Sequence, residues 1–206
     1  MLSQALIDST ILLIVLLNPF LLCIYLLDMI QEMDLRTFSR TMTSTGAVSS
    51  LIYIGFAIAG DTLFTLIFKV RYESFLMFGG VVFLLVSIRL VMSGSLALRG
   101  LRGSAPSTSD GVALPFMIGP GTISACIVAG SRLPIPMACL AIVFSVIVCI
   151  VSIIVLKWIH DLIRKRHEPL MERYMDMVGR IMALLTGTIA VDMILSGLDR
   201  WMKTLG

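Results

Sequence analysis

Charged residues are scarce in this sequence, where they account for 14% of the 206 residues. A soluble domain carries about 25% charged residues, so the composition argues against a soluble globular fold. The net charge of +3 is small, and the basic residues cluster beside apolar runs, which favours membrane topology over nucleic-acid binding. Hydrophobic residues make up 58% of the chain. We therefore expect a multi-pass, all-α membrane protein in a lipid bilayer, with no nucleic-acid partner.

Motifs that carry catalytic or metal chemistry are also rare. Neither H-E-x-x-H nor G-x-S-x-G occurs, and these are the motifs of zinc proteases and serine hydrolases. Asp61 after Gly60 is the only hint of an intramembrane enzyme, and no second aspartate is expected at its depth. His160 and His167 fall in a charged segment, 160–174, that we interpret as a loop without an assigned function. We expect no enzymatic activity.

The cysteines lie in apolar runs and form no C-x-x-C pair; they are Cys23, Cys126, Cys139 and Cys149. A buried cysteine usually behaves as a small hydrophobic residue. No metal site, disulfide or cofactor is therefore expected.

The apolar runs predict six membrane spans, since each span needs about 20 residues. The first half of the chain, 1–98, contains spans 5–30, 41–60 and 74–94; the second half, 112–206, contains spans 112–130, 137–158 and 178–198. A Gly-, Ser- and Pro-rich linker, 99–111, separates the halves. Two tandem halves of three spans each must be inverted relative to each other. The sequence therefore predicts six transmembrane helices arranged as two inverted three-helix repeats.

Orientation follows from the basic residues. The linker and the other odd-numbered loops carry more Lys and Arg than the opposite side, and cytoplasmic loops are enriched in these residues. We therefore expect a cytoplasmic linker, both termini outside, and location in the plasma (inner) membrane.

Two interruptions break the apolar runs of spans one and four. The first is Asn18-Pro19, and the second is Gly119-Pro120-Gly121-Thr122. Proline removes a backbone donor and clashes with the preceding helical turn, so each stretch predicts a broken or kinked helix. Freed backbone groups survive in the bilayer only where they are buried in protein or line a wet cavity. Corresponding breaks in two halves indicate a transporter binding site, although two kinks that only shape the bundle are the alternative.

The second break has the chemistry of an anion site. A helix that restarts near Thr122 presents unpaired N–H groups and the positive end of its dipole, which attract a carboxylate. The predicted substrate-binding residues are Asn18, Pro19, Gly119, Pro120, Gly121, Thr122 and Ser124. Their polar groups are neutral, and this favours a small zwitterion over a large or highly charged substrate.

Arg89 and Asp192 are the two clear cases of charged residues inside predicted spans, where charge is costly and therefore indicates function. Asp192 is a candidate for gating, ion coupling or proton transfer, with a structural hydrogen bond to a neighbouring helix as the alternative. Arg89 lies near the end of its span and is expected to reach the membrane interface.

The segment Pro115–Ile123 resembles the P-x-x-x-G-P-G-T-I signature of the MarC family of integral membrane proteins. Asn18-Pro19, Gly79-Gly80 and Gly179-Arg180 also resemble family motifs, and the resemblance covers nearly the whole chain. It implies six spans with outward termini, and one branch of the family is described as small neutral amino acid transporters. The chain departs from the family pattern at Leu21, Ile24 and Lys69.

Two functional hypotheses follow. The first is a secondary transporter that moves alanine, serine or glycine by alternating access through a midplane site at the two breaks, with a proton or sodium as the coupling ion. The second is a membrane subunit or scaffold without transport activity, which the departures in span one favour. Direction of transport and oligomeric state stay open.

Overall fold

A computed structural model describes residues 2–60, 62–64, 69–93, 117–164 and 168–203. Helices dominate these residues, and the part of the chain that the structure describes contains no β-strand. Five helical segments are long and apolar enough to cross a membrane: Leu2–Cys23, Leu35–Ala59, Tyr72–Met92, Ile135–Leu162 and Met177–Lys203. The expectation of an all-α protein with several membrane helices is confirmed.

Several predicted features fall partly or wholly outside the described residues. These are the linker 99–111, the first residues of span four (112–116), Asp61 and His167. The described part of span four is a helix of 13 residues, Pro120–Arg132. Span four, and with it the total of six spans, therefore stays a prediction.

The first span consists of three consecutive helices, α1 (Leu2–Leu17), α2 (Pro19–Tyr25) and α3 (Leu27–Glu32). Asn18 separates α1 from α2, with a φ of 39°. Its N–H still donates to the carbonyl of Ile14 at 3.1 Å, and its own carbonyl accepts from Leu22 at 3.1 Å. Helical hydrogen bonds thus continue on both sides of Asn18, although its φ is positive.

Helix α4 (Leu35–Ala59) begins earlier than the predicted span 41–60. Asp34 is its N-cap and accepts a hydrogen bond from the Thr37 N–H at 3.0 Å, which satisfies one of the unpaired donors at a helix start. Phe38 in the first turn is fully buried. The predicted spans 5–30 and 41–60 leave residues 31–40 as a polar loop. This was wrong for 35–40, because the cap and the buried Phe38 stabilise a helix among polar residues.

The remaining helices are α5 (Tyr72–Ser93), α6 (Pro120–Arg132), α7 (Ile135–Arg164) and α8 (Glu168–Lys203). Helices α7 and α8 extend well beyond the predicted spans 137–158 and 178–198. The interpretation of 160–174 as a charged loop was therefore wrong for 160–164 and 168–174, which are helical. Helices longer than the hydrocarbon core continue past the last apolar residue, so hydropathy alone ended them too early.

Helices α5 and α8 form the most extensive helix pair, and they run antiparallel. A Cβ atom built on Gly80 would lie 2.7 Å from the Ala190 carbonyl oxygen, and one on Gly197 would lie 2.7 Å from Met77. Glycine at these two positions lets the backbones approach closely, as is typical of helix pairs in membranes.

Helices α1, α4, α6 and α7 form a second group with a shared apolar core. The core includes Leu13, Phe38, Tyr53, Cys126 and Ile142, which are all nearly or fully buried. A smaller cluster around Ile127 and Met193 joins this group to the α5–α8 pair. Helix α6 is the member of this group that also contacts the α5–α8 pair, so its N-terminus is enclosed by helices from both halves of the chain.

Candidate functional site

Asn18 shapes the first break with its side chain as well as its backbone. The Oδ1 atom accepts a hydrogen bond from the Leu21 N–H at 3.2 Å, and Pro19 occupies the first position of α2. Asn tolerates the left-handed region better than most residues, and Pro suits the first helical position because it lacks an N–H. The Asn18 side chain is 7% exposed, so this break is buried and its amide oxygen already serves as a helix cap.

The second break is the start of α6. Gly119 is the N-cap, and Pro120 follows in the first turn. The Thr122 hydroxyl donates to the Gly119 carbonyl at 2.8 Å and accepts from the Gly119 N–H at 3.1 Å. The Ser124 hydroxyl donates to the Pro120 carbonyl at 2.7 Å. Both hydroxyls therefore bond to their own helix, and both residues are buried.

Tyr53 on α4 is a site residue that the sequence reasoning missed. Its hydroxyl donates to the Met117 carbonyl at 2.6 Å, and the Thr122 hydroxyl lies 3.4 Å from the same carbonyl oxygen. Ser49, one turn earlier on α4, is fully buried, and its hydroxyl has no hydrogen-bond partner among the described residues. A tyrosine within an apolar helix was a weak signal, because its partner is remote in sequence.

Three apolar side chains cover the start of α6. A Cβ on Gly121 would lie 2.9 Å from Phe83, 3.2 Å from Leu16 and 3.4 Å from Met193. The Phe83 ring also covers Gly119, at 3.0 Å from the position of its Cβ. These side chains come from α5, α1 and α8, so four helices meet at this point. At position 121 any larger residue would place its Cβ against the Phe83 ring, so glycine allows the ring to pack on the start of α6.

The two breaks lie on neighbouring helices. Helix α1 packs on α6, and Leu16, two residues before Asn18, reaches Gly121. The predicted site residues Asn18, Pro19 and Gly119–Ser124 therefore belong to one region of the molecule. At each break a new helix begins, at Pro19 and at Pro120.

Asp192 is not part of this region. Its side chain lies on the exposed side of α8, whereas the adjacent Met193 is buried and faces Gly121. Arg89 likewise lies on an exposed part of α5. The structure thus separates both charged candidates from the two breaks.

A polar cluster at the end of α7 was also missed. Lys157 is 2% exposed, and its ammonium group donates to the Ile30 carbonyl at 2.6 Å and to the Asp161 carboxylate at 2.7 Å. The His160 ring nitrogen Nδ1 lies 3.4 Å from the same carboxylate. The cation meets the last turn of α3, where the helix dipole favours positive charge. Lys157 therefore connects α7 to α3.

Among the described residues, no group of three or more His, Cys, Asp or Glu side chains is arranged to hold a metal ion. The cysteines are free thiols, and three of them, Cys23, Cys126 and Cys149, are buried. The chemistry of the region around α6 therefore comes from helix termini, hydroxyls and amides.

The sequence comparison agrees with the motifs at the two breaks. The model of the MarC family integral membrane proteins matches residues 3–202. The chain belongs to the MarC family. In this MarC family protein the segment Pro115–Ile123, which resembles the family signature, leads into α6, and residues 117–123 of it are described. No curated protein and no solved structure matches the chain.

Proposed function

We propose that this MarC family protein is a secondary transporter for small neutral amino acids, with its substrate site at the start of α6. The observation that carries the proposal is the enclosure of Gly119–Thr122 by Leu16, Phe83 and Met193. A helix N-terminus buried where several helices meet is the arrangement that broken-helix transporters use to hold an anionic group. Alanine, serine and glycine are the substrates we expect.

The chemistry of the region supports a zwitterion. The positive end of the α6 dipole favours a carboxylate. The carbonyl oxygens of Met117 and Gly119 become acceptors for an ammonium group when their present bonds to the hydroxyls of Tyr53 and Thr122 open. The hydroxyls of Tyr53 and Thr122 lie beside them. These groups are uncharged, and burying an unpaired net charge among them would be costly. An amino acid without a charged side chain therefore fits best.

The conformation described here corresponds to a closed state. The hydroxyls of Thr122 and Ser124 bond to their own helix, and Phe83 covers both glycines beside Pro120. Substrate entry requires the Phe83 ring to move away. Alternating access then consists of motions of the two halves that uncover this region from one side and then from the other.

Two contacts support an inverted repeat. A Cβ on Gly187 would lie 3.4 Å from Ser87, and a Cβ on Gly46 would lie 3.2 Å from Val146. Both pairs join residues 100 positions apart, which is the offset between Gly79 and Gly179. Residues near a two-fold axis between repeats contact their own counterparts. The proposal includes six spans arranged as two inverted repeats. It also places the protein in the plasma membrane with both termini outside.

A proton or sodium ion is the coupling ion we propose, with Asp192 as the residue to test. Because Asp192 lies on the exposed side of α8, it acts through its neighbour Met193 at the covered site rather than by contact with substrate. Asp192→Asn should change the dependence of uptake on pH or sodium and leave substrate binding intact. An unchanged dependence on both ions would remove Asp192 from the mechanism.

The decisive experiment is uptake of radiolabelled alanine, serine and glycine into liposomes containing the purified protein. Gly121→Leu and Asn18→Leu should abolish uptake, because they fill or distort the two breaks. Gly55→Leu is the matched control, since Gly55 has no atom within 4 Å of a built Cβ. Thermal unfolding shows that each variant is folded. Unchanged flux in both folded site variants would reject the site, and absence of uptake by the wild type would reject transport.

The second candidate function is a membrane subunit or scaffold without transport activity. It is favoured by the packing at the α6 start, where the space beside Gly121 is occupied by Leu16, Phe83 and Met193. A ligand that binds the folded state raises stability by RT ln(1 + [L]/Kd). A flat stability screen against single amino acids, together with a stoichiometric protein partner in the purified sample, would favour the scaffold.

A further inference from the structure

Two helical segments lead from the breaks to opposite ends of the bundle. The first is α2–α3, which ends at Glu32 just before α4, and the second is α6, which ends at Arg132. Gly130 near the end of α6 lies against Ala57, which is close to the last residue of α4. Helix α4 has 25 residues and is therefore about 37 Å long. The two segments thus finish at opposite faces of a bilayer.

The contacts at these two ends are counterparts in the proposed repeat. Ile30 and Gly130 are 100 positions apart, and so are Ala57 and Lys157. At the α6 end, a Cβ on Gly130 would overlap the Ala57 carbonyl, so two backbones are in direct contact. At the α3 end, the Lys157 side chain bridges α7 and α3 with its 2.6 Å bond to the Ile30 carbonyl. One end is therefore closed by packed backbones and the other by a polar side chain.

The bond between Lys157 and Ile30 can open without leaving an unpaired charge. Lys157 also donates to the Asp161 carboxylate at 2.7 Å, and this partner lies four residues later on the same helix. The Lys157 side chain is 2% exposed, whereas that of Asp161 is 37% exposed. A Lys157 side chain that turns toward Asp161 therefore keeps its counter-ion and reaches water. Water can then replace the ammonium group at the Ile30 carbonyl.

We propose that Lys157 is the latch of a gate at the end of the bundle where α3 and α7 finish. Its bond to the Ile30 carbonyl holds the gate closed, and release of this bond lets α3 move away from α7. The gate rests on the transport function proposed above, because its opening uncovers the region between the two breaks from one side of the membrane. The other end, where Gly130 packs on the α4 backbone, stays closed during this step.

Native thiols on either side of the breaks report which end opens. Cys23 lies on α2, between Pro19 and Ile30, and is 2% exposed. Cys126 lies on α6, between Pro120 and Gly130, and is fully buried. Cys23 is therefore on the latch side of the breaks, and Cys126 is on the opposite side. A thiol buried in apolar surroundings is inert, and it reacts with a maleimide once water reaches it.

Labelling of the purified protein with N-ethylmaleimide, mapped by mass spectrometry, tests the latch. Lys157→Met removes the bond to Ile30 and should raise the labelling rate of Cys23 about tenfold, the factor for one hydrogen bond from a charged donor. The rate at Cys126 should not change. Lys203→Met is the matched control, because Lys203 also pairs with an aspartate four residues away but is exposed. It should leave both rates at their wild-type values.

Two labelling results would overturn the proposal. Equal rises at Cys23 and Cys126 would show general loosening of the fold, which a purely structural Lys157 would also produce. Unchanged labelling of Cys23 in folded Lys157→Met protein would show that the bond does not control access. The assay uses no substrate, so its result decides the gate whether or not the wild type transports amino acids.

Hydrogen exchange of the wild type tests the same gate without a variant. Residues 27–32 of α3 and residues 127–132 of α6 occupy corresponding places at the two ends. Amides in 27–32 should exchange several-fold faster, because this end depends on the Lys157 side chain whereas the other depends on packed backbones. Equal or slower exchange in 27–32 would contradict a gate at the α3 end.

Discussion

The Tyr53 hydroxyl donates a hydrogen bond of 2.6 Å to the carbonyl oxygen of Met117, 64 positions away in the chain. This contact ties α4 to the residues that lead into α6. It fixes the residues that precede the start of α6. The position of Gly119 and Pro120 is therefore set by a remote helix in addition to the local cap.

Tyr53→Phe should lower the free energy of unfolding by about 0.5–1.5 kcal/mol, because the Met117 carbonyl loses its 2.6 Å donor and keeps only the longer 3.4 Å contact with the Thr122 hydroxyl. Thermal unfolding in detergent measures the change. Ser49→Ala is the contrasting variant on the same helix, since its hydroxyl has no hydrogen-bond partner among the described residues. It should leave stability unchanged or raise it. Equal losses in both variants would contradict a specific role for the Tyr53 contact.

Gly121→Ala should destabilise the protein by about 1–3 kcal/mol through overpacking, because its Cβ would lie 2.9 Å from Phe83. Phe83→Leu removes the ring and should restore part of the loss when the two are combined. The coupling in this double-mutant cycle is measured by thermal unfolding. Additive effects would show that the ring and Gly121 do not constrain each other.

Lys157→Met should destabilise the protein by about 1–3 kcal/mol, since it leaves the Ile30 carbonyl at the end of α3 without its donor. Lys203→Met is the matched control. Lys203 also pairs with an aspartate four residues away, at 2.6 Å, but its side chain is 74% exposed. Exposed pairs contribute about 0–1 kcal/mol. Similar losses in the two variants would contradict the connection between α7 and α3.

Asp34 lies outside the membrane spans, and its contribution to the stability of α4 depends on pH. Hydrogen bonds from the side chain and then the backbone of Thr37 hold the pKa of the Asp34 carboxyl below its usual value. A lowered pKa in the folded state means that the cap stabilises α4 above the ordinary aspartate pKa of about 3.9. This contribution is lost as pH falls through the lowered pKa.

Hydrogen exchange at the first turn of α4 measures this effect. In the wild type, protection should fall as the solution is acidified below about pH 4. Asp34→Asn retains a capping side chain without the titration, so its protection should not change over that range. A wild-type profile as flat as that of Asp34→Asn would contradict the role of the carboxylate.

Helix starts in this protein depend on nearby residues, whereas helix ends and packing depend on remote ones. The stretches Asn18-Pro19 and Gly119–Thr122 predicted interruptions, because proline acts within one helical turn. The helix start expected near Thr122 lies at Pro120 in the structure. The membership of the MarC family was predicted from Pro115–Ile123 and is confirmed. The predicted spans were shorter than α4, α7 and α8. A long helix can continue through polar residues, whether they are buried or exposed, so polarity alone does not mark its end.

The apolar runs and the helix-breaking dipeptides by themselves determined an all-α membrane protein and the positions of Asn18 and Pro120 as helix boundaries. The tertiary structure alone decided that Phe83 covers Gly121, that Tyr53 holds Met117 and that Lys157 is buried against Ile30. The reason is physical. Helix starts depend on backbone groups within a few residues, whereas burial depends on side chains that come from helices far apart in the chain.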